Sequence, residues 1–428
     1  MPSSYFETLQ SLSRTLLGKS VLFISYNGML DPLGQSQVLP YLRQLAQRGV
    51  RFFLLSFERS DAFKDEGLRQ REALRADLAR ENIEWHVLRY HQRPSLPATA
   101  YDVAAGFLVA KRLIRKHRIE LVHARSHIPA SIALALKRVS TLKMIFDLRG
   151  LMAEEYVEAN HWREGGLPYR LTKIVENRAL AAADGVVTLT EKIWPIIRDW
   201  KGLRGRKVVH EVIPCCADLE VFNFSLEDRK RRRKELDLGD RLTLVYSGSI
   251  GGWYLTKEMV DFFVQLLTHR VDAHFLWLTP GDPDVIHRIM SDRKIGAQSY
   301  TIRKIAPSDM PSYLSAADVG IAFYKPGLSR LATSPVKLTE YLACGLPVVL
   351  NSGIGDSDEI LSDSGVGAIV SRFDDAEYTR AWREIEYALV NLSDTKIRAS
   401  QLAQKLFDLR EVGGERYARL YQRVLAGA

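Results

Sequence analysis

Short apolar runs rich in β-branched and aromatic residues alternate, through the first half of the chain, with stretches whose apolar positions recur every three or four residues. VLFIS from Val21, FFLLSF from Phe52, IEWHVL from Ile83, ELVHA from Glu120, KMIFDL from Lys143 and GVVTLT from Gly185 read as strands. Helices are predicted between them, among them QVLPYLRQLAQRG, AAGFLVAKRLIRKH, IPASIALALKRV and LTKIVENRALAAA. Basic residues gather near several of their C-terminal ends, where the macrodipole favours positive charge. Such alternation is the signature of βα units feeding a parallel sheet.

After HEVIPCCADLEVF the pattern gives way to a charged, apolar-poor stretch reaching Arg241, then restarts with LTLVYSGS. AHFLWLT, SYTIRKI, VGIAFY, LPVVLN and GVGAIV supply further strands, separated by helices around Glu258, Val285, Met310, Val336 and Glu377. The pattern therefore predicts an α/β protein of two Rossmann-like domains, residues 1–215 and 216–405. A last helical segment, 406–428, has no strand to feed and is expected to pack back across the junction. A length of 428 residues suits two cores of about 200 residues better than one.

Composition narrows the classes. With 46% hydrophobic and 26% charged residues the chain is globular rather than disordered or fibrous. Cys215, Cys216 and Cys344 offer no disulfide framework and are expected as reduced thiols, and neither they nor the histidines show zinc-ligand spacing, so no metal is expected. No run reaches the roughly 18 to 20 apolar residues that cross a bilayer, so no spanning helix is expected, and the reduced thiols point to a cytoplasmic protein. The opening stretch, with Phe6, Leu9, Leu12, Leu16 and Leu17 near one face, suits an amphipathic helix at a membrane surface. A formal charge of +9 calls for acidic partners: anionic lipid, nucleotide phosphates or nucleic acid. The basic cluster from Arg229 to Lys234 has no interleaved aromatics, so nucleic acid is set aside and the cluster is read as a solvated linker or helix face.

Open α/β sheets bind ligands beyond the carboxyl ends of their strands. In the first such loop, YNGMLDPLGQSQ, Gly28 and Gly34 flank Pro32 and the helix is expected to begin near Gln35 or Ser36. The dinucleotide fingerprint GxGxxG is missing, which disfavours a nicotinamide dehydrogenase. Gly34 lets backbone N–H groups approach a phosphate or sugar, or simply makes a turn. Residues 332–349, ATSPVKLTEYLACGLPVV, say more. Ser334 is a good N-cap, Pro335 suits the first helical position, and Lys337 then opposes the helix dipole in the first turn. An anion there reverses that penalty, and Glu340, on the same face, can accept hydrogen bonds from two ribose hydroxyls. A sugar nucleotide supplies both partners. On the N-terminal side, His123, Arg125 and His127 follow one strand, and Asp147, Arg149 and Gly150 the next, with Glu154 and Glu155 close behind.

The segment SPVKLTEYLACGLPVV resembles the donor site of retaining GT-B glycosyltransferases, especially glycosyltransferase family 4. VLFISYNGMLDPLGQSQVLPYL, VHARSH, FDLRGLMAEE and YSGSIGG look like the family's bacterial polysaccharide-assembly members. The resemblance implies a GT-B fold of two facing Rossmann-like domains, with a nucleotide-sugar donor held by the C-terminal domain. It also implies retention and a glycan or lipid-linked acceptor on the N-terminal side. Combined with the basic charge, it suggests a peripheral enzyme on an anionic membrane surface, without cofactor or metal. Glu340 matches the second glutamate of the family's E-x7-E pattern, whereas the first position holds Ala332, so other groups must engage the sugar. Ser249 stands where the family has a donor-binding arginine, Lys257 matches its lysine, and Lys337 is expected to replace the missing charge. Catalytic roles fall to Lys337, Arg149 and His127. The donor shell comprises Gly34, Gly248, Ser249, Lys257, Ser334, Leu338 and Glu340, and the acceptor side Arg125, Asp147 and Glu155. A sugar-nucleotide epimerase and a degenerate nucleotide-sugar-binding partner are the competing readings.

Overall fold

The computed structural model describes residues 16–93, 95–362 and 364–427. Phe6, Leu9 and Leu12 of the predicted amphipathic opening lie outside them; Leu16 is buried and Leu17 is 71% exposed. The chain divides into two compact units, one formed by Met1–Pro214 with Leu409–Ala428, the other by Cys215–Asp408.

The N-terminal unit holds a seven-stranded parallel sheet: β1 (Ser20–Ser25), β2 (Arg51–Glu58), β3 (Ile83–Arg89), β4 (Leu121–Arg125), β5 (Lys143–Asp147), β6 (Gly185–Thr188) and β7 (Val209–Val212). The order is β3-β2-β1-β4-β5-β6-β7, so the sheet reverses direction between β1 and β4. β1, β2, β4 and β5 are buried along almost their whole length, which is why they read as continuous apolar runs rather than alternating ones. The edge strand β7, sequence VHEV, is half polar and gave no such run. In register, Ser25 pairs with Arg125 and Arg125 with Asp147, so the ends of β1, β4 and β5 lie level. The last helix, Glu415–Ala426, buries Tyr417, Leu420, Tyr421 and Val424, spaced i, i+3, i+4, i+7, and packs on β5 and β7.

The C-terminal unit repeats the scheme with β8 (Thr243–Ser247), β9 (His274–Leu278), β10 (Tyr300–Arg303), β11 (Val319–Ala322), β12 (Val348–Asn351) and β13 (Gly367–Val370), all parallel in the order β10-β9-β8-β11-β12-β13. Its reversal falls between β8 and β11. Gly320 of β11 is imposed by packing, because a Cβ there would lie 2.3 Å from the ring of Tyr341.

The basic cluster is not the solvated face expected of it. It forms the helix Leu226–Glu235, capped by Ser225, whose hydroxyl accepts the Asp228 N–H. Lys230, Arg231 and Lys234 face solvent, but Arg229 donates to the carbonyls of Ser315, Ala316 and Ala317 and to Asp318. Arg232 is 8% exposed and lies 4.1 Å over the Tyr313 ring, and Arg233 donates to the Ala316 carbonyl. Cations thus satisfy the open carbonyls at the end of helix Met310–Ala316. Among the described residues no helix is long and apolar enough to cross a membrane.

Candidate active site

At the reversal of the C-terminal sheet, residues 248–252 follow β8, and the chain leaving β11 forms a short turn of helix, Leu328–Ala332, then the helix Val336–Ala343. Tyr341 fastens that helix to β8: its hydroxyl accepts the Ser247 N–H at 2.8 Å. Lys337, in the first turn, donates to the Tyr254 hydroxyl at 2.9 Å and lies 4.1 Å from the centre of that ring and 5.5 Å from that of Tyr246. The two rings hold the ammonium by cation–π attraction. Gly248 has φ +127°, and a Cβ there would stand 2.7 Å from Lys337 Cε and Nζ. The glycine is what lets the lysine lie along the strand-end loop. The Ser249 carbonyl accepts from the Tyr246 hydroxyl, while the Ser249 residue as a whole is exposed.

Glu340, one turn on, is half-buried, and its carboxylate has no hydrogen-bond partner among the described residues, while its backbone carbonyl accepts the Cys344 N–H. Burial pushes its carboxyl up to about 7, against the opposing pull of Lys337. A carboxylate without a hydrogen-bond partner among the described residues thus stands one helical turn from a fixed ammonium.

Two parts of the expected donor shell are placed differently. Ser334 does not cap the helix: Pro335 precedes it without a side-chain cap, and the Ser334 hydroxyl accepts the Cys215 N–H at 3.0 Å. Thr339 adds a bond to the Cys215 carbonyl at 2.8 Å, so this hydroxyl pair anchors the chain at residue 215. Leu338 is a core residue, 1% exposed, and its N–H is engaged by the Pro335 carbonyl, so it offers nothing to a donor. Lys257 is exposed at the start of helix Thr256–Leu267, with no hydrogen bond or ion pair among the described residues. Ala332 is 2% exposed. Arg330, two residues before it, is 5% exposed, donates to the Ser329 hydroxyl and lies 5.9 Å over the Trp253 ring. Sequence reasoning passed over Arg330 and the Tyr246, Tyr254, Tyr324 cluster; the signal in the sequence is Tyr246 and Tyr254 flanking the glycine-rich loop, whereas Tyr324 joins them only through the fold.

In the N-terminal unit, Arg125 and Asp147 end adjacent strands. Asp147 accepts from the Tyr417 hydroxyl at 2.8 Å and lies 3.4 Å from His123 Nε2 and 4.0 Å from Arg149 Nε. Burial works to raise its carboxyl, but Arg149, His123 and Arg125 together hold it below the usual range. Burial keeps the His123 imidazole below its ordinary value. Arg125 donates to Asn27, and Arg149 reaches Gln37. Ser126 and Arg149, just past two neighbouring strands, have φ of +74° and +58°. Positive φ at non-glycine residues is strain, and strain of this kind collects at functional sites. Gly150 lets Glu155 close in, since a Cβ there would lie 2.3 Å from Glu155 Oε1.

Two further expectations require correction. His127 does not reach the strand ends: it is 1% exposed, lies 3.1 Å from Glu176 and meets the Phe146 ring edge-on. As the first residue of helix His127–Lys137 it turns into the helical layer, where Glu176 also pairs with Lys173. Gly34 does not precede its helix but sits buried inside Pro32–Gln37, where a Cβ would lie 2.1 Å from the Gly28 carbonyl oxygen. That loop is organised instead by Glu58, 1% exposed, which accepts from the N–H groups of Met29 and Leu30.

Residues 35–221 match the family described as Glycosyltransferase Family 4, and residues 241–385 match Glycosyl transferases group 1. Together the two matches make the chain a family 4-like glycosyltransferase of GT-B fold. A Bacillus subtilis protein named for teichuronic acid biosynthesis, the glycosyltransferase TuaH, is 27% identical over 42% of this chain and 43% of its own length. The chain thus spans less than half of that relative in the alignment. Among solved structures, a glycosyltransferase from Rickettsia africae superposes with a TM-score of 0.71 at 14% identity, covering 96% of this chain and 99% of its own. Anabaena HepE in complex with UDP and glucose gives 0.66 at 14% identity, covering 94% and 99%. At such identities the solved structures speak to the GT-B fold, and the matched families to glycosyl transfer.

Proposed function

We propose that this glycosyltransferase moves a sugar from a nucleotide-sugar donor to a glycan or lipid-linked acceptor, with retention at the anomeric carbon, in cell-surface polysaccharide assembly. The observation carrying the donor half is the pairing of Lys337, fixed over Gly248 and Tyr254, with the unpartnered Glu340 one turn along. The diphosphate would lie at the ammonium and the amides of Val336 and Lys337 that open helix Val336–Ala343, and the ribose hydroxyls at Glu340. In the transfer the anomeric C–O bond to the diphosphate breaks through an oxocarbenium-like transition state while the acceptor oxygen approaches the same face. The departing phosphate oxygen takes the acceptor's proton. The protein's part is to stabilise the developing charge and align the reactants. Lys337 serves the first purpose; Arg125, Asp147, Arg149 and Glu155 are proposed for the acceptor.

The polysaccharide role is supported by the teichuronic acid naming of the Bacillus relative, and UDP is the first nucleotide to test because HepE was crystallised with it. No metal or cofactor enters this reading. The net charge of +9 supports peripheral attachment to an anionic membrane. Calorimetric titration and thermal shift with uridine, guanosine and thymidine diphosphates and their sugars test the proposal. One base is expected to stabilise the protein, and K337E to abolish the effect; unchanged affinity in K337E overturns it.

A further inference from the structure

Three helices of the N-terminal unit, Ser95–His117, His127–Lys137 and Leu167–Ala182, lie side by side, the middle one packed against both others. Their outer surface is apolar where a solvated layer is polar: Tyr101 is 63% exposed, Leu108 65%, Leu167 60%, Leu171 43% and Ile174 46%. It also carries charge of one sign. The acidic residues of these helices, Asp102 and Glu176, are 1% and 0% exposed, whereas Arg112, Arg115, Arg170 and Arg178 face outward. Both carboxylates are engaged inside the unit, Asp102 with Tyr26 and His91, Glu176 with His127 and Lys173. Nothing acidic on these helices offsets the arginines.

The two kinds of residue share the same stripes. Tyr101, Leu108, Arg112 and Arg115 run along one helix face, and Leu167, Arg170, Leu171, Ile174 and Arg178 along another, at helical spacing. Between the middle and third helices lies a groove of about 510 Å³, lined by Leu134, Ala135 and Val175 together with Lys137, Arg138 and Arg178.

We propose that this layer is the face by which the enzyme lies on an anionic lipid bilayer. The proposal rests on the membrane reading above and supplies its surface. Leucine and isoleucine side chains at this spacing enter the headgroup and acyl boundary, while guanidinium groups on long stems reach the lipid phosphates beside them. A protein partner of the usual kind is met by a contiguous apolar patch with cations at its rim, and here cations and aliphatics are interspersed. Single-stranded nucleic acid is met by aromatic platforms, and Tyr101 is the one exposed aromatic on these helices among the described residues.

Sedimentation of the full chain with phosphatidylcholine vesicles, with and without about a third phosphatidylglycerol, tests the proposal. The wild type is expected to sediment with the anionic vesicles and to stay behind with the neutral ones. The triple variant R112E/R170E/R178E is expected to lose roughly a hundredfold in vesicle affinity, and L108S/L171S/I174S to weaken binding as well. Nucleotide-induced thermal stabilisation reports that each variant is folded. If both variants bind the vesicles as the wild type does, the surface assignment is overturned while the membrane reading stands. If the wild type ignores anionic vesicles, or binds an RNA oligonucleotide in their place, both fall.

Discussion

Lys337 Nζ fills the space beside Gly248 that a methyl group would need, with Tyr254 closing the other side at 2.9 Å. The position of the ammonium is therefore set by two features distant in sequence from the helix that bears it. Gly248→Ala is expected to strain a backbone at φ +127°, costing about 1–3 kcal/mol of stability, and to push Lys337 off its site. Calorimetry should show a lower melting temperature together with weakened nucleotide binding.

Lys337→Met keeps the hydrophobic stem and removes the charge. Loss of one charge-assisted contact to the diphosphate is expected to cost about 1.5–3 kcal/mol of nucleotide affinity, with little change in melting temperature. Lys337→Arg is not expected to restore binding, because a planar guanidinium cannot take the narrow place beside Gly248. Isothermal titration with UDP measures both.

Glu340 gives the site its own pH dependence. Its carboxyl titrates at about 7 in the folded chain against an ordinary 4.5, so the proton is held more tightly in the fold than in the unfolded chain. Stability of the unliganded protein is expected to fall as pH rises from about 4.5 through about 7. Nucleotide affinity should move the opposite way, since the ionised carboxylate is the stronger acceptor. Melting curves and titrations across that window check both, and Glu340→Gln should flatten both profiles.

Ser334→Ala tests the corrected role of this residue. The buried Cys215 amide loses its acceptor, which is expected to cost about 1–3 kcal/mol of stability while nucleotide affinity stays nearly unchanged. Chemical denaturation read against titration separates the two effects.

Tyr417→Phe removes the hydroxyl that Asp147 accepts from at 2.8 Å. A carboxylate that is 1% exposed is left with weaker partners, and a loss of about 1–3 kcal/mol is expected. Turnover should fall further than nucleotide affinity if Asp147 positions Arg149.

Periodicity located almost every strand because the inner strands of both sheets are buried on their two faces and read as plain apolar runs. β7 escaped because an edge strand carrying His210 and Glu211 has no such run. Lys337 and Glu340 were legible because three residues apart on a helix fixes a shared face. His127 and Ser334 were misjudged for one physical reason: a polar residue at an element's end finds a tertiary partner, here Glu176 and the Cys215 amide, that local spacing does not disclose. Arg229, Arg232 and Arg233 show the same on a larger scale, since a run of cations looks solvated until the carbonyls it covers are known.

The segment from Leu409 onward, with the helix Glu415–Ala426, completes a unit whose remaining residues end at Pro214. During synthesis the amino-terminal half therefore waits on the ribosome, with the hollow for Tyr417, Leu420, Tyr421 and Val424 unfilled, until the whole of Cys215–Asp408 has been translated. Its core closes only when residues about two hundred positions further along the chain join it, so the last step of its folding is a long-range one.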